Sequence, residues 1–415
     1  MVYTGDHDVD KVVMIERVHD RFGITIHSPN LVLLYLSSRH LVLASTYPHF
    51  TLLGQSLGSL ALAYDAFSLL VPDIFIDTMG YAFTLAFCHY LFPSVPTAAY
   101  VHYPTISTDM LSSLDDVTGE RGLNAGAGAG FLGKVKKTYW RLFARLYGWV
   151  GNKIDVVMCN SSWTRGHITA LWKPRKSSLS TSLFATVLYP PCAVREIASR
   201  ITISAVSERA RENIILYIAQ FRPEKNHALV LRSFGKYYHS LPEGTPPEQR
   251  PRLVLIGAVR SNTPDEIHIY NLRLQARELK IGSATTFICD APLSVVQNYL
   301  QKASIGVNGM WNEHFGIGVV EYQAAGLIPV VHNSGGPKLD IVIPFKGQPT
   351  GFHATTDEEF ARAFSEVHGM EESERVGMRQ RAQENAMRFG EEEFSQGWLD
   401  VMDGLVEMQM MKSGG

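Results

Sequence analysis

The run Asn213-Ile214-Ile215-Leu216-Tyr217-Ile218-Ala219-Gln220-Phe221-Arg222-Pro223-Glu224-Lys225-Asn226 decides the fold. Its first part is continuously apolar, which suits a strand covered on both faces, as parallel strands are. A short polar loop follows, and a helical pattern occupies residues 226–238. The same unit recurs downstream. Strands are predicted at 252–257, 285–288, 304–309 and 328–332, and helices at 264–280, 292–302 and 316–325. Strands alternating with helices make a doubly wound parallel sheet, whose ligands bind beyond the carboxyl ends of the strands. The loops after those strands are therefore the places to look for chemistry.

Towards the N-terminus the alternation repeats. Strands are predicted at 2–4, 73–76, 98–102 and 155–159, and helices at 8–21, 52–70, 81–91 and 131–149. The pattern breaks at Tyr189-Pro190-Pro191 and restarts after a polar stretch at 204–211. The chain of 415 residues thus divides into an N-terminal Rossmann-like domain (1–206), a C-terminal one (207–388), and a terminal helix (389–415) expected to pack back on the first domain. Segments 124–130, 173–182 and 241–251 are expected to be flexible from their Ala-Gly, Lys-Ser and Pro-rich compositions.

With 46% hydrophobic and 19% charged residues, wholesale disorder is excluded. A formal net charge of -2 gives no global basic field for nucleic acid. Cys88, Cys159, Cys192 and Cys289 have no metal-type spacing and read as reduced small hydrophobes. The most apolar stretch, 52–71, contains Gln55 and Asp65 and reads as a buried or interfacial helix rather than a membrane span. The polar, acidic start is unlike a secretory signal, and the sequon Asn160-Ser161-Ser162 reads as a turn after a strand.

The richest segment is Met310-Trp311-Asn312-Glu313-His314-Phe315-Gly316-Ile317-Gly318-Val319-Val320-Glu321. Glu313 precedes a helix that contains Glu321, so both acids can face one cleft. Gly316 and Gly318 leave the first helical amides open to a phosphate or sugar hydroxyl. An ordinary strand–loop–helix with a solvated acid at each end fits the same letters. Arg222 and Lys225 follow the strand quoted first, where two cations would neutralise a diphosphate leaving group. An isolated pair of that kind is ordinarily a surface salt-bridge patch. Ser334-Gly335-Gly336 follows another strand, and its glycines allow a ligand close to the backbone. In the first half, Val101-His102-Tyr103-Pro104 and Asp77-Thr78-Met79-Gly80 also end strands. His102 suits a hydrogen bond to a sugar, and Asp77 and Tyr103 are assigned to the acceptor side.

Together these clusters resemble the retaining GT-B glycosyltransferases of family 4, which carry a basic Arg…Lys pair after the first strand of the second domain and a Glu-x7-Glu motif. Longer runs resemble the α-1,2-mannosyltransferases that extend the dolichol-linked pentasaccharide: 47–56, 100–110, 311–318 and 332–340. The resemblance implies a GT-B fold, two Rossmann-like domains facing each other across a cleft. It implies transfer of mannose from GDP-mannose to dolichol-diphosphate-linked Man3GlcNAc2 and Man4GlcNAc2, with retention, at the cytosolic face of the endoplasmic reticulum membrane. Under it, Glu321 holds the ribose and Glu313 the donor mannose. Arg222 and Lys225 hold the diphosphate, and His102 touches the sugar from the other wall. His314, Phe315, Gly316, Ile317, Ser334, Gly335 and Gly336 complete the donor site. No cofactor or metal is expected. Asp8-Val9-Asp10 has a metal-like spacing but precedes a helix rather than ending a strand.

Relatives of this kind begin with a membrane anchor and a strand–glycine loop–helix unit, whereas Val2-Tyr3-Thr4 reads as the second strand; a gap in the first sheet is expected. Expected partners are GDP-mannose, the dolichol-linked oligosaccharide, a membrane surface and other mannosyltransferases of the endoplasmic reticulum, with no nucleic acid. Helix 133–149, which mixes Lys, Arg, Trp and Tyr, is the candidate membrane face, and 31–35 and 41–44 are expected to extend its apolar patch. Two alternatives stand beside this reading: a GT-B enzyme using a UDP- or ADP-sugar, and an inactive nucleotide-binding homologue. An NAD dehydrogenase is disfavoured, because no GxGxxG follows an early strand.

Overall fold

The computed structural model describes residues 1–413 except 7, 8, 23, 117–121, 123, 173–184, 261 and 262, and except the side chains of 20–22. The basic segment 173–182 and Asp8 therefore lie outside the described residues.

In the C-terminal domain six strands run parallel: β7 (Glu212–Ile218), β8 (Arg252–Gly257), β9 (Thr285–Cys289), β10 (Ala303–Asn308), β11 (Ile328–His332) and β12 (Phe352–Ala354). Their spatial order is β12-β11-β10-β7-β8-β9. The chain moves outward from β7 to β9, then returns to the other side of β7 with β10. This reversal opens a crevice at the carboxyl ends of β7 and β10. Ile215, Tyr217, Leu253, Ile305 and Val330 feed a core on one face of the sheet, and Ile214, Leu216, Val254 and Val331 feed one on the other. Burial on both faces is why these strands read as unbroken apolar runs.

The N-terminal domain has β1 (Val2–Thr4), β2 (Leu33–Tyr35), β3 (Phe75–Asp77), β4 (Thr97–Val101), β5 (Val156–Cys159) and β6 (Thr186–Val187). The strands β3-β4-β5-β6 form one parallel sheet, and β1-β2 form a separate parallel pair. The pair abuts the larger sheet through side chains. Tyr3 donates to the Leu70 carbonyl at 2.6 Å and meets Phe75 edge-on at 6.3 Å. Among the described residues no backbone pairing joins β1 to β3. Leu33–Tyr35 is a half-buried strand and Val42 is buried, which leaves Val32 and Leu43 as the large exposed members of the expected patch, at 49% and 44%.

Two flexible-looking segments are structured. In the Ala-Gly run, the Gly126 and Gly128 amides donate to the Ser113 and Leu114 carbonyls at 3.1 and 2.9 Å. Pro247–Gln249 forms a helical turn within 241–251. The last helix, Glu391–Ser413, crosses back to the first domain. There Val401, Leu405, Phe394 and Trp398 pack on Ala98, Tyr100, Val156 and Met158 of β4 and β5. All four cysteines are free, three of them buried.

Candidate functional site

A cleft of about 590 Å³ lies between the domains at the β7/β10 reversal. Lys225, Glu313, His314, Phe315, Gly316 and Ile317 line its C-terminal wall, and His102 and Asn160 line the N-terminal wall. Lys225 ends a helical turn, Pro223–Lys225, that follows β7. Asn226 then turns through a left-handed φ of 51° and caps the next helix, accepting from the Leu229 amide at 3.3 Å. Tyr217 of β7 donates to the Lys225 carbonyl at 2.6 Å, which ties the loop to the strand. The Lys225 ammonium thereby meets Glu313 Oε2 at 2.6 Å, both side chains mostly shielded.

Glu313 sits on a tightly held loop. Asn312 has φ 52° and Gly316 φ 107°, a region costly for any residue but glycine. The neighbouring turn holds this shape: the Asn312 amide donates to Ser334 Oγ at 2.7 Å and the Gly336 amide to the Glu313 carbonyl at 2.8 Å. Gly335 has φ 67°, and a Cβ on Gly336 would lie 2.6 Å from the Phe315 carbonyl. The close approach permitted by Gly335 and Gly336 is thus to the Glu313–Phe315 backbone. Ser334, Gly335 and Gly336 buttress the cleft instead of lining it. The helix Ile317–Ala324 then starts at the cleft with Gly316 as its cap.

Glu321 lies on that helix, behind the lining. Burial alone lifts its carboxyl from 4.5 to about 7, and among the described residues no cation or donor offsets it. His314 is pushed down to about 4, mainly by burial, so its ring is neutral at physiological pH. It stacks on Tyr103 at 4.1 Å and Trp163 at 5.2 Å, both from the first domain. Burial also holds the His102 imidazole below its usual value.

Two further assignments change. Arg222 is not brought to the cleft wall; its guanidinium faces Glu224 at 4.0 Å. Asp77 is buried and accepts from the Met79, Gly80 and Tyr81 amides at 3.2, 2.8 and 2.8 Å. It shapes the loop after β3, and its carboxylate is spent on that turn. The loop itself borders a second cavity of about 290 Å³, lined by Gln55, Ser59, Gly80, Tyr81, Tyr103 and Thr105, which shares His102 with the cleft. Sequence reading missed Asn160, Asn308, Asp290 and Tyr322 in the main cleft, although the first three stand just after or at the end of β5, β10 and β9. That position was the available signal.

The N-terminal part, residues 1–172, matches the family described as ALG11 mannosyltransferase N-terminus. Residues 199–388 match the glycosyl transferases group 1 family. A Neurospora crassa protein named GDP-Man:Man(3)GlcNAc(2)-PP-Dol alpha-1,2-mannosyltransferase is 53% identical, over 99% of this chain and 75% of the relative. The chain belongs to the ALG11 mannosyltransferase family. The human protein of the same name is 42% identical to this ALG11-family chain, over 98% of it and 80% of the relative. Among solved structures, HepE of Anabaena with UDP and glucose superposes with a TM-score of 0.60 at 13% identity, over 92% of this chain and 90% of that one. Sucrose-phosphate synthase of Thermosynechococcus elongatus reaches 0.64 at 14% identity, over 92% and 85%. These distant likenesses show the two-domain GT-B fold of this family member.

Proposed function

We infer that this chain transfers mannose from GDP-mannose, in α-1,2 linkage and with retention, to dolichol-diphosphate-linked Man3GlcNAc2 and Man4GlcNAc2. Relatives named for α-1,2 mannosyl transfer from GDP-mannose to Man3GlcNAc2-PP-Dol align with nearly its whole length. The observation that carries the reading is the convergence of Lys225 and Glu313 at the strand reversal, with the half-buried Glu321 behind them. The diphosphate lies by Lys225 and the open amides at Ile317, which together take up the charge of the leaving GDP, so no metal is needed. Arg222 joins them by swinging away from Glu224. Glu313 accepts from mannose hydroxyls and Glu321 from the ribose. The bond from the anomeric carbon to the β-phosphate oxygen breaks with its electron pair going to GDP. The acceptor hydroxyl bonds to the same face, and its proton passes to the departing phosphate oxygen. The acceptor sugar enters through the second cavity, beside His102 and Tyr103.

Membrane contact belongs to the same proposal, at the cytosolic face of the endoplasmic reticulum. No helix among the described residues is long and apolar enough to cross a bilayer. Helix Gly130–Gly151 instead turns Trp140, Phe143 and Tyr147 inward and leaves Phe131 and Leu132 each 81% exposed. Lys134 and Arg141 lie on the same helix, and Lys153 just beyond it stacks over Tyr90 and Trp149. Cations beside exposed aromatic and aliphatic groups suit anionic headgroups.

The test is transfer of labelled mannose to a short-chain lipid-linked Man3GlcNAc2, with UDP-glucose and ADP-glucose as rival donors. Expected is a product that grows by mannose from GDP-mannose alone and is trimmed by an α-1,2-mannosidase. Transfer from a rival donor, or GDP binding with no transfer, refutes the reading.

A further inference from the structure

Three consecutive residues, Asn312-Glu313-His314, are held by different domains. The outer two are gripped from the N-terminal domain. Asn312 Nδ2 donates to Asp109 Oδ2 at 2.6 Å, and the His314 ring stacks on Tyr103 and Trp163. The middle one, Glu313, turns the other way to Lys225 of its own domain. Asp109 is a hub: the same oxygen accepts from Trp163 Nε1 at 3.2 Å and lies 3.2 Å from His167 Nε2. His167 is fixed in turn by Thr108 Oγ1, 2.6 Å from its Nδ1. The hub therefore has a rigid base in the first domain and one arm across the cleft.

We propose that Asp109 is a positioning residue for transfer: its hydrogen bond to Asn312 clasps the closed cleft and sets the Glu313 carboxylate against the donor sugar. The proposal rests on the mannosyltransferase reading. Asn312 occupies a left-handed conformation that requires support from its surroundings. Ser334 supplies it on the backbone side and Asp109 on the side-chain side. Opening the cleft removes Asp109 and both aromatic rings together, so the loop that carries Glu313 loses one of its two anchors. The nucleotide end of the site loses nothing, because Lys225, Ile317 and Glu321 all belong to the C-terminal domain. A clasp of this kind acts on turnover and leaves nucleotide affinity alone. Hydrogen bonds to charged acceptors are the stronger ones, so an amide in place of Asp109 keeps part of the clasp and a methyl keeps none.

The experiment compares wild type, Asp109→Ala, Asp109→Asn and Asn312→Ala for mannose transfer, GDP affinity by calorimetry, and compactness by small-angle scattering. Misplacing a reacting group by about 1 Å costs up to roughly a hundredfold in rate. Expected is a kcat lowered tenfold or more, by that order-of-magnitude argument, in Asp109→Ala and Asn312→Ala. Asp109→Asn should recover part of it. GDP affinity stays at the wild-type value, and the radius of gyration rises in the two alanine variants. Wild-type kcat in a folded Asp109→Ala, or a fall in GDP affinity matching the fall in kcat, overturns the proposal. A wild-type chain that transfers no mannose overturns the activity reading instead, and the scattering comparison still judges the clasp.

Discussion

Replacing Glu321 by Gln should make the protein more stable and less able to bind its donor. The carboxyl is lifted from 4.5 to about 7 by burial, with no opposing partner among the described residues. In the folded chain the neutral acid is therefore favoured. Below pH 4.5 the group costs nothing; as pH rises towards 7 the unfolded chain ionises freely while the folded one resists, and the cost of folding grows. Above 7 it levels off. The rise from 4.5 to about 7, at 1.36 kcal/mol per factor of ten in the proton equilibrium, amounts to roughly 3 kcal/mol at pH 8 and under about 1 kcal/mol at pH 5. Glutamine is never charged and escapes this cost. In urea, with a slope of about 2–3 kcal/mol per molar, the donor-domain midpoint of Glu321→Gln should move up by about 1 M at pH 8 and far less at pH 5. GDP affinity should move the opposite way. An ionised carboxylate accepting ribose hydroxyls forms charge-assisted bonds of about 1.5–3 kcal/mol, so the variant should bind GDP roughly tenfold to a hundredfold more weakly. A stabilisation equal at both pH values, or a loss at pH 8, would show that Glu321 has a partner in the folded chain and refute the argument.

Lys225→Ala and Glu313→Ala should each lower transfer by about 10²–10³, the scale for losing one transition-state contact, with unchanged circular dichroism. The double variant should lose less than the sum, because the two side chains form one pair; wild-type turnover in either single variant contradicts the site. Paired Asp substitutions at Phe131 and Leu132 should weaken co-sedimentation with phosphatidylserine vesicles, and sedimentation equal to wild type excludes this helix as the membrane face. Arg379 is fully buried, bonded to Glu208 at 2.6 Å and to the Ser304 and Gly326 carbonyls at 2.7 and 2.8 Å. Arg379→Ala strands the Glu208 charge and should cost about 3–5 kcal/mol in chemical denaturation; a cost under about 1 kcal/mol would mean that Arg375, also on Glu208, suffices.

Strands such as β7 and β10 were legible in the sequence because burial on both faces writes itself as a continuous apolar run. Topology then brings the loops after them together, and Lys225 and Glu313 are picked out by that placement combined with the resemblance to the GT-B family. The places where the structure departs from the sequence expectation have a common physical cause: a residue type names a capacity without naming its partner. Asp77 after β3 has the capacity to bind a hydroxyl, but three backbone amides of its own turn lie nearer and take it. Gly335 and Gly336 do allow a close approach, and the Glu313–Phe315 backbone makes it. Arg222 and Lys225 share a loop, yet Lys225 meets Glu313 at the cleft while Arg222 faces Glu224.

The contacts across the cleft had no signature in local periodicity, although Asp109 and Asn312 each lie in a run that carries the family resemblance, 100–110 and 311–318. Asp109 and Asn312 lie 203 positions apart, and neither sits in a periodic pattern that requires the other. Their pairing depends on how two independently built sheets are set against each other, a relation no local period encodes. It follows that the chemistry of this chain is legible domain by domain, whereas the timing of that chemistry resides in the contact between domains. Variation at Lys225 or Glu313 should lower transfer by about 10²–10³ whatever the cleft does. Variation at Asp109 should slow transfer only to the extent that the open form becomes populated.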